Sequence, residues 1–214
     1  MSFQTYRIFQ FALSLSIALF IICASVLLTL LFKPLYYFDI QYLNIEHLSN
    51  MNRSIIIENY DYMIHFLINP VPQEFHLPSL NYSRHGQVHF QDVKKIFTFI
   101  DLLLILTGMF SASGIYFNIK NKNFQFLKSA SAALILFTIV PSILFLLDFN
   151  TAFIMFHQLF FRNNYWVFDP ATDPVITILP ETFFLHAALL VLGLIFTGIL
   201  ALLIACKILS KTKN

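Results

Sequence analysis

The chain has 214 residues, of which 58% are hydrophobic and 11% charged, and its formal net charge is +2. Because soluble domains carry about 25% charged residues, this composition excludes a soluble enzyme and predicts an integral membrane protein. The small charge and the lack of a basic run with interleaved aromatics exclude a nucleic-acid partner. Both cysteines, Cys23 and Cys206, lie inside apolar runs, which excludes a disulfide framework and a structural zinc site.

Four apolar segments are long enough to cross a hydrocarbon core of about 30 Å as helices. The first is too long for a signal peptide and no small-x-small cleavage site follows it, so we expect an uncleaved anchor. Small residues in the others, such as Gly108 and Gly198, allow helix backbones to approach closely. We therefore predict an all-α membrane protein of one domain, with four transmembrane helices at about residues 8–32, 96–117, 129–147 and 183–206.

The orientation of these helices follows from the positions of the basic residues. Three short segments, two at the ends of the chain and one between the second and third spans, contain lysine or arginine and no acidic residue. The positive-inside rule places such segments in the cytoplasm. We therefore expect both termini to be cytoplasmic and residues 34–95 and 148–182 to be extracellular. The basic residues behind this orientation are Arg7, Lys120, Lys122, Lys128, Lys207, Lys211 and Lys213.

The two external segments carry apolar residues and helix signals. In the stretch 52–69, apolar residues recur at helical spacing opposite Glu58 and Asp61, which predicts an amphipathic helix. Three prolines follow, and Ser83 then stands where it can cap a helix that continues into the second span. The segment 148–182 contains the turn signals DPATDP and LPE. Together the segments predict an extracellular helical and loop cap over the outer end of the bundle.

Histidines are the candidate acid–base residues, because the ordinary pKa of imidazole lies near the working pH. His85, His89 and Asp92 are spaced i, i+4, i+7 and share one helical face, while His157 follows the third span at a similar depth. This pattern predicts a polar site where the cap meets the membrane. His85 falls in the first helical turn, where the helix dipole favours neutral imidazole, so it is the better base and His89 a supporting residue.

The same histidines are compatible with two simpler arrangements. Polar-tipped rings favour a wet interface, so each histidine can simply lie at that level. The His-x-x-x-His spacing with Asp92 also matches a zinc site on a helix, with His157 as a further ligand. No glutamate stands beside either His85 or His89 as a general base, and we predict no metal.

The stretch FHQLFFRNNYWVFDP, residues 156–170, combines many rings with a histidine and an arginine. Tyrosine and tryptophan also form the aromatic belt at membrane interfaces. The cluster contains more rings than a belt requires and suits an apolar pocket with a few polar groups. Its members are Phe156, Phe160, Phe161, Tyr165, Trp166 and Phe168.

Two stretches carry a resemblance to a known family. HFQDVKKIF, residues 89–97, is the shorter one. FHQLFFRNNYWVFDPATDPVITILPETFF, residues 156–184, is more specific, because its run of His-Gln, Trp, Phe-Asp-Pro, Asp-Pro-Val and Leu-Pro-Glu rarely arises by chance. Together with the four-span layout, they resemble the signature regions of the bacterial lipoprotein intramolecular transacylase (Lit) family of Gram-positive membranes.

The resemblance implies an acyltransferase of the bacterial cell membrane. Its substrate would be a diacylglyceryl lipoprotein, held among membrane lipids. The sn-2 acyl chain of the glyceryl group would move to the α-amine of the lipidated N-terminal cysteine, which gives the lyso form of the lipoprotein. Donor and acceptor belong to one molecule, so we expect no cofactor, no metal and no acyl-enzyme nucleophile.

For this reaction we expect His85 and His157 to move the protons. Arg162, Tyr165 or backbone N–H groups near the following turn are candidates for stabilising the tetrahedral oxyanion. The remaining candidates, which would orient an imidazole or contact the substrate, are His89, Asp92, Phe156, Phe160, Trp166, Asp169 and Asp173. Two alternative functions stay open: a metal-dependent membrane hydrolase that uses His85, His89 and Asp92, and a non-enzymatic four-span adaptor.

Overall fold

The computed structural model describes residues 2–211. Lys213, one of the basic residues behind the expected orientation, lies outside this range. The described residues form helices and no strands. The helices are α1 (Phe3–Leu31), α2 (Lys33–Tyr42), α3 (Ile45–Ser49), α4 (Arg53–Ile68), α5 (Arg84–Lys120), α6 (Gln125–Leu147), α7 (Phe149–Phe160), α8 (Val175–Ile178) and α9 (Glu181–Lys211).

Four of these helices, α1, α5, α6 and α9, are long and apolar enough to cross a membrane. This confirms the predicted all-α fold with four transmembrane helices. Helix α5 has 37 residues, whereas about 20 residues cross a hydrocarbon core. The polar N-terminal turns of α5, which hold His85, His89 and Asp92, are therefore an extension of the span.

The described chain forms two compact units. The first contains the residues before Leu28, Ile100–Leu144 and the residues after Leu189, and the second contains Leu28–Phe99 and Phe145–Leu189. The four long helices contribute to both units, whereas the five shorter helices belong wholly to the second. All the candidate site residues also belong to the second unit.

Small residues allow close helix packing in the first unit. A side-chain methyl at Gly114 would collide with Leu13, and one at Gly198 would collide with Ile21. Gly193 differs, because nothing lies within 4 Å of the position a methyl would take there. The close approach expected from the glycines therefore holds at positions 114 and 198, where α1 is the neighbour.

The core of the second unit is aromatic. Tyr36 is fully buried and stacks on Tyr60 with 3.7 Å between ring centroids. Its hydroxyl donates to the carbonyl oxygen of Ile178 at 2.7 Å. Phe75 stacks on Phe90 at 4.2 Å. These contacts join α2, α4, α8, the proline-rich loop and the N-terminal turns of α5 into one packed unit.

Helix α4 is the amphipathic helix predicted for 52–69, and its apolar side packs into this core. The structure adds helices that the sequence patterns do not predict, namely α2, α3, α7 and α8. The motif DFN at 148–150 resembles the polar start of a loop. In the structure Asp148 instead caps α7, since its carboxylate accepts the backbone N–H of Thr151 at 3.2 Å.

Candidate active site

The site begins at the N-terminus of α5, which two polar side chains hold in place. The Ser83 hydroxyl accepts the backbone N–H of Gly86 at 3.0 Å, which is the predicted cap. The backbone N–H of Ser83 in turn donates to the carboxylate of Asp173 at 2.8 Å. Asp173 is buried, and a methyl group at position 86 would collide with its Oδ1. The glycine therefore lets the loop after α7 approach the start of α5.

Three polar residues on one face of α5 contact the segment that follows α7. The His85 ring stacks on Tyr165, with 4.1 Å between centroids and 9° between planes. One turn further, His89 packs on Phe161 at 4.7 Å. Asp92 accepts a long hydrogen bond of 3.5 Å from Asn163 and pairs with Lys95 at 2.8 Å. The i, i+4, i+7 pattern thus marks the face that meets this segment.

His157 lies in the last turn of α7, and its ring is held in one tautomer. Nδ1 lies 2.8 Å from the carbonyl oxygen of Phe153, four residues earlier. Because a carbonyl only accepts, Nδ1 carries the proton and Nε2 keeps a free lone pair. Burial lowers the pKa of His157 below its ordinary value, and the bond to the carbonyl opposes this only in part. The lowered pKa therefore favours the neutral imidazole.

Aromatic rings surround His157, and we call them the aromatic cage. Phe153 and Trp166 are nearest, with ring centroids 4.2 and 4.7 Å from the imidazole. Phe161 and Phe156 follow at 5.6 Å each. The His89 ring stands 6.1 Å away and is itself in contact with Phe168 and Phe90. The imidazole thus lies in a place that is poor in water.

Two polar atoms in this place have no hydrogen-bond partner among the described residues. They are Nδ1 of His89 and the indole Nε1 of Trp166, and both atoms are buried. His89 as a whole is only 7% exposed. A buried polar group without a partner is uncommon in native proteins and calls for a physical reason.

Comparisons with known proteins identify the family. The sequence profile of the family described as "Lipoprotein intramolecular transacylase Lit" matches residues 11–184. The chain belongs to the Lit family. A solved in meso structure of the membrane-integral Lit from Bacillus cereus is 37% identical, with a TM-score of 0.96 over 99% of each chain. No curated protein gave a significant match.

Two further structures of the Bacillus cereus Lit carry a histidine replaced by arginine or by alanine. Each is 37% identical and has a TM-score of 0.89 over 99% of this chain, covering 95% and 97% of the respective structure. Membership of the Lit family confirms the expected membrane-integral acyltransferase and excludes the adaptor.

In this Lit family member, three predicted site residues make no hydrogen bond or ring contact with His157. Arg162 is exposed and makes no hydrogen bond or ion pair with any described residue. Asp169 is exposed and closes the turn after it, where its carboxylate accepts the backbone N–H of Ala171 at 2.9 Å. Phe160 is half exposed and packs on Phe156 at 4.6 Å. No three His, Cys, Asp or Glu side chains between residues 2 and 211 form a metal-ligand group.

Sequence reasoning missed two features of this unit. The first is Phe153, whose carbonyl oxygen orients His157 and whose ring belongs to the cage. Its position four residues before His157 on a helix could have indicated both contacts. Asp39 is fully buried and accepts a hydrogen bond from His186 Nδ1 at 2.8 Å, which joins α2 to α9. No local pattern indicates this pair, because its members are 147 residues apart.

Proposed function

We propose that this chain moves the sn-2 acyl chain of a diacylglyceryl lipoprotein to the α-amine of its N-terminal cysteine. The observation that carries the proposal is the environment of His157. Its lowered pKa favours the neutral imidazole, its tautomer leaves Nε2 free as an acceptor, and aromatic rings surround it. Such a group is suited to taking a proton from an amine as it attacks an ester.

The reaction needs proton transfer and positioning, and no external reactant. The amine nitrogen attacks the ester carbonyl carbon, so that a C–N bond forms and a tetrahedral oxyanion appears. The oxyanion then collapses, the C–O bond to the glyceryl oxygen breaks, and that oxygen takes a proton. The product is an N-acyl cysteine with a monoacyl glyceryl group, and atoms and charge balance without a cofactor.

We assign the two proton transfers to two histidines. His157 takes the proton from the attacking nitrogen. His85 protonates the departing glyceryl oxygen, so the base role that its place in the first turn of α5 indicated falls to His157, whose Nε2 is free to accept. Its ring is more exposed than that of His157 and is held flat against Tyr165. His89 is buried, lies 6.1 Å from the His157 ring between centroids, and supports His157.

Positioning supplies much of the remaining rate. Attack closes a ring of about eight atoms, and holding a substrate folded back in that geometry is worth up to several kcal/mol as effective molarity. The aromatic cage also keeps water from the ester, so that transfer is favoured over hydrolysis. Neither cysteine is suited to act as a nucleophile, because Cys23 and Cys206 are buried within α1 and α9.

The expected orientation places this site in the outer leaflet of the bacterial cell membrane. With both termini cytoplasmic, the second unit lies on the external side, where lipidated N-termini of lipoproteins are found. Substrate then enters sideways from the lipid. Helix α7 supports this route, because two of its apolar side chains, Met155 and Leu159, expose 51% and 79% of their surface.

Expression in a bacterium that lacks lyso-form lipoproteins tests the function. Mass spectrometry of lipoprotein N-terminal peptides is expected to find an N-acyl, monoacylglyceryl cysteine with the wild-type chain. His157→Ala and His85→Ala are expected to abolish it. His65→Ala is the matched control, since His65 is an exposed histidine on α4 outside the cage. An unchanged diacylglyceryl product with the wild-type chain contradicts the function, whereas normal product from His157→Ala contradicts only the site.

A further inference from the structure

The indole nitrogen of Trp166 is a donor without an acceptor. It is buried, and no described residue accepts a hydrogen bond from it. An indole N–H can only donate, and leaving such a buried group unsatisfied costs about 1–3 kcal/mol. Packing alone does not account for this cost, because phenylalanine provides a ring without an N–H and fills most other positions of the cage.

Trp166 lies beside the residues that we propose to transfer protons. The indole ring lies 4.7 Å from the His157 imidazole, centroid to centroid, at an interplanar angle of 33°. Its neighbour in the chain, Tyr165, stacks on His85. Trp166 is thus next to the proposed base and directly follows the residue that holds the proposed acid. We expect a substrate ester held between the two histidines to bring its carbonyl oxygen to the indole, and its binding must then open the cage enough to expose the buried Nε1.

Four other candidate donors in the stretch are engaged or exposed. The backbone N–H of Phe161 donates to the His157 carbonyl at 2.8 Å. The backbone N–H of Tyr165 donates to the Asn163 side chain at 3.0 Å. The backbone N–H of Val167 donates to the carbonyl oxygen of Asn164 at 3.1 Å. The Arg162 side chain is exposed. None of these donors is both buried beside His157 and free to stabilise an oxyanion.

We propose that Trp166 is a catalytic residue whose indole N–H donates to the acyl carbonyl oxygen as that oxygen becomes an oxyanion. The inference rests on the proposed function. Attack by the amine moves the carbonyl π-electron pair onto oxygen, the indole N–H stabilises that charge, and collapse returns the pair as the glyceryl C–O bond breaks. The indole proton is never transferred. In a cage that excludes water, such a donor acts mainly on the transition state.

A purely structural role for Trp166 predicts a different outcome from a donor role. If the indole served only to hold the His157 ring, its shape would matter and its N–H would not. The chain contains one tryptophan, so a tryptophan analogue supplied during cell-free synthesis replaces this residue alone. β-(3-Benzothienyl)alanine keeps the bicyclic shape and replaces the N–H by sulfur.

The decisive experiment compares the wild-type and benzothienylalanine proteins in lipid nanodiscs, with a synthetic diacylglyceryl-cysteine peptide as substrate. Removal of an oxyanion donor typically lowers kcat by roughly 10²–10³-fold, and we expect this loss with KM little changed and the thermal midpoint no lower. Trp166→Phe is expected to lose at least as much. Activity within twofold of wild type in the benzothienylalanine protein overturns the inference and leaves the proposed function intact. Absence of transfer by the wild-type protein overturns both.

A second measurement observes the N–H directly. Protein labelled with ¹⁵N-tryptophan gives one indole resonance, because only residue 166 contributes. A lipopeptide that carries an anionic alkylphosphonate in place of the sn-2 ester imitates the tetrahedral oxyanion. Its binding is expected to move the indole proton downfield, as a new charge-assisted hydrogen bond requires. An unmoved resonance at saturating alkylphosphonate overturns the inference.

Discussion

Replacing Gly86 by alanine tests how the start of α5 is joined to the loop after α7. The added methyl collides with Oδ1 of Asp173. That oxygen accepts the backbone N–H of Ser83, and Asp173 is only 3% exposed. The carboxylate is not the end of a long flexible side chain, so it has little room to move. Either the hydrogen bond breaks or the first turn of α5 shifts, and with it His85.

The expected loss of stability follows from the bonds involved. A hydrogen bond to a charged group contributes about 1.5–3 kcal/mol, and a carboxylate at a helix N-terminus adds about 0.3–1 kcal/mol. Replacing glycine by alanine inside a helix returns about 0.5–1 kcal/mol. We therefore expect Gly86→Ala to lower the free energy of unfolding by about 1–3 kcal/mol, with a larger effect on transfer because His85 moves.

The assay is thermal unfolding of the purified protein in detergent, followed by the lipopeptide transfer assay on the same preparation. Gly193→Ala is the matched control, because nothing lies within 4 Å of a methyl group there. We expect this control to be as stable as wild type or slightly more stable. If Gly86→Ala unfolds at the wild-type temperature and transfers at the wild-type rate, the close contact between Gly86 and Asp173 does not position the site.

The remaining predictions concern pH, the hydrogen bond between Asp39 and His186, and metal. Because burial lowers the pKa of His157 and a base must be neutral, the His157 imidazole, followed by histidine NMR, is expected to take up its proton only below the ordinary histidine pKa of about 6.5; protonation at or above that value contradicts His157 as the base. His186→Phe leaves the buried Asp39 carboxylate unpaired and is expected to destabilise the protein by about 1–3 kcal/mol, seen as a lower thermal midpoint than for Asp39→Asn. Transfer is expected to persist at the full rate in EDTA, and chelator sensitivity would instead support the metal-dependent alternative.

Much of the fold could be predicted from the sequence because its signals are local. Four long apolar runs predict four spans, and the apolar spacing in 52–69 predicts α4. The Ser83 cap depends only on residues three apart. Helices α2 and α7 are harder to predict, because each follows a membrane span closely. A single proline marks the start of α2 and a single cap residue that of α7, and neither start shows a change in periodicity.

The site could be predicted only in part, because its contacts join distant segments. The face of α5 that carries His85 and His89 follows from helical spacing, and the ring-rich stretch after residue 156 indicates a cage. Which ring meets which histidine depends on the irregular backbone after α7, which no periodic pattern describes. The unpartnered N–H of Trp166 is a property of the packed cage, so it could be found only in three dimensions.

A crossover experiment tests the central claim most directly. The purified protein in nanodiscs is given two synthetic diacylglyceryl-cysteine peptides of different sequence, one of which carries a deuterated sn-2 acyl chain. Mass spectrometry is expected to find every deuterated acyl chain on the amine of the peptide that brought it, with no exchange between peptides and no free fatty acid. Deuterated acyl groups on the other peptide, or hydrolysis as the main product, would contradict an intramolecular transfer within the aromatic cage.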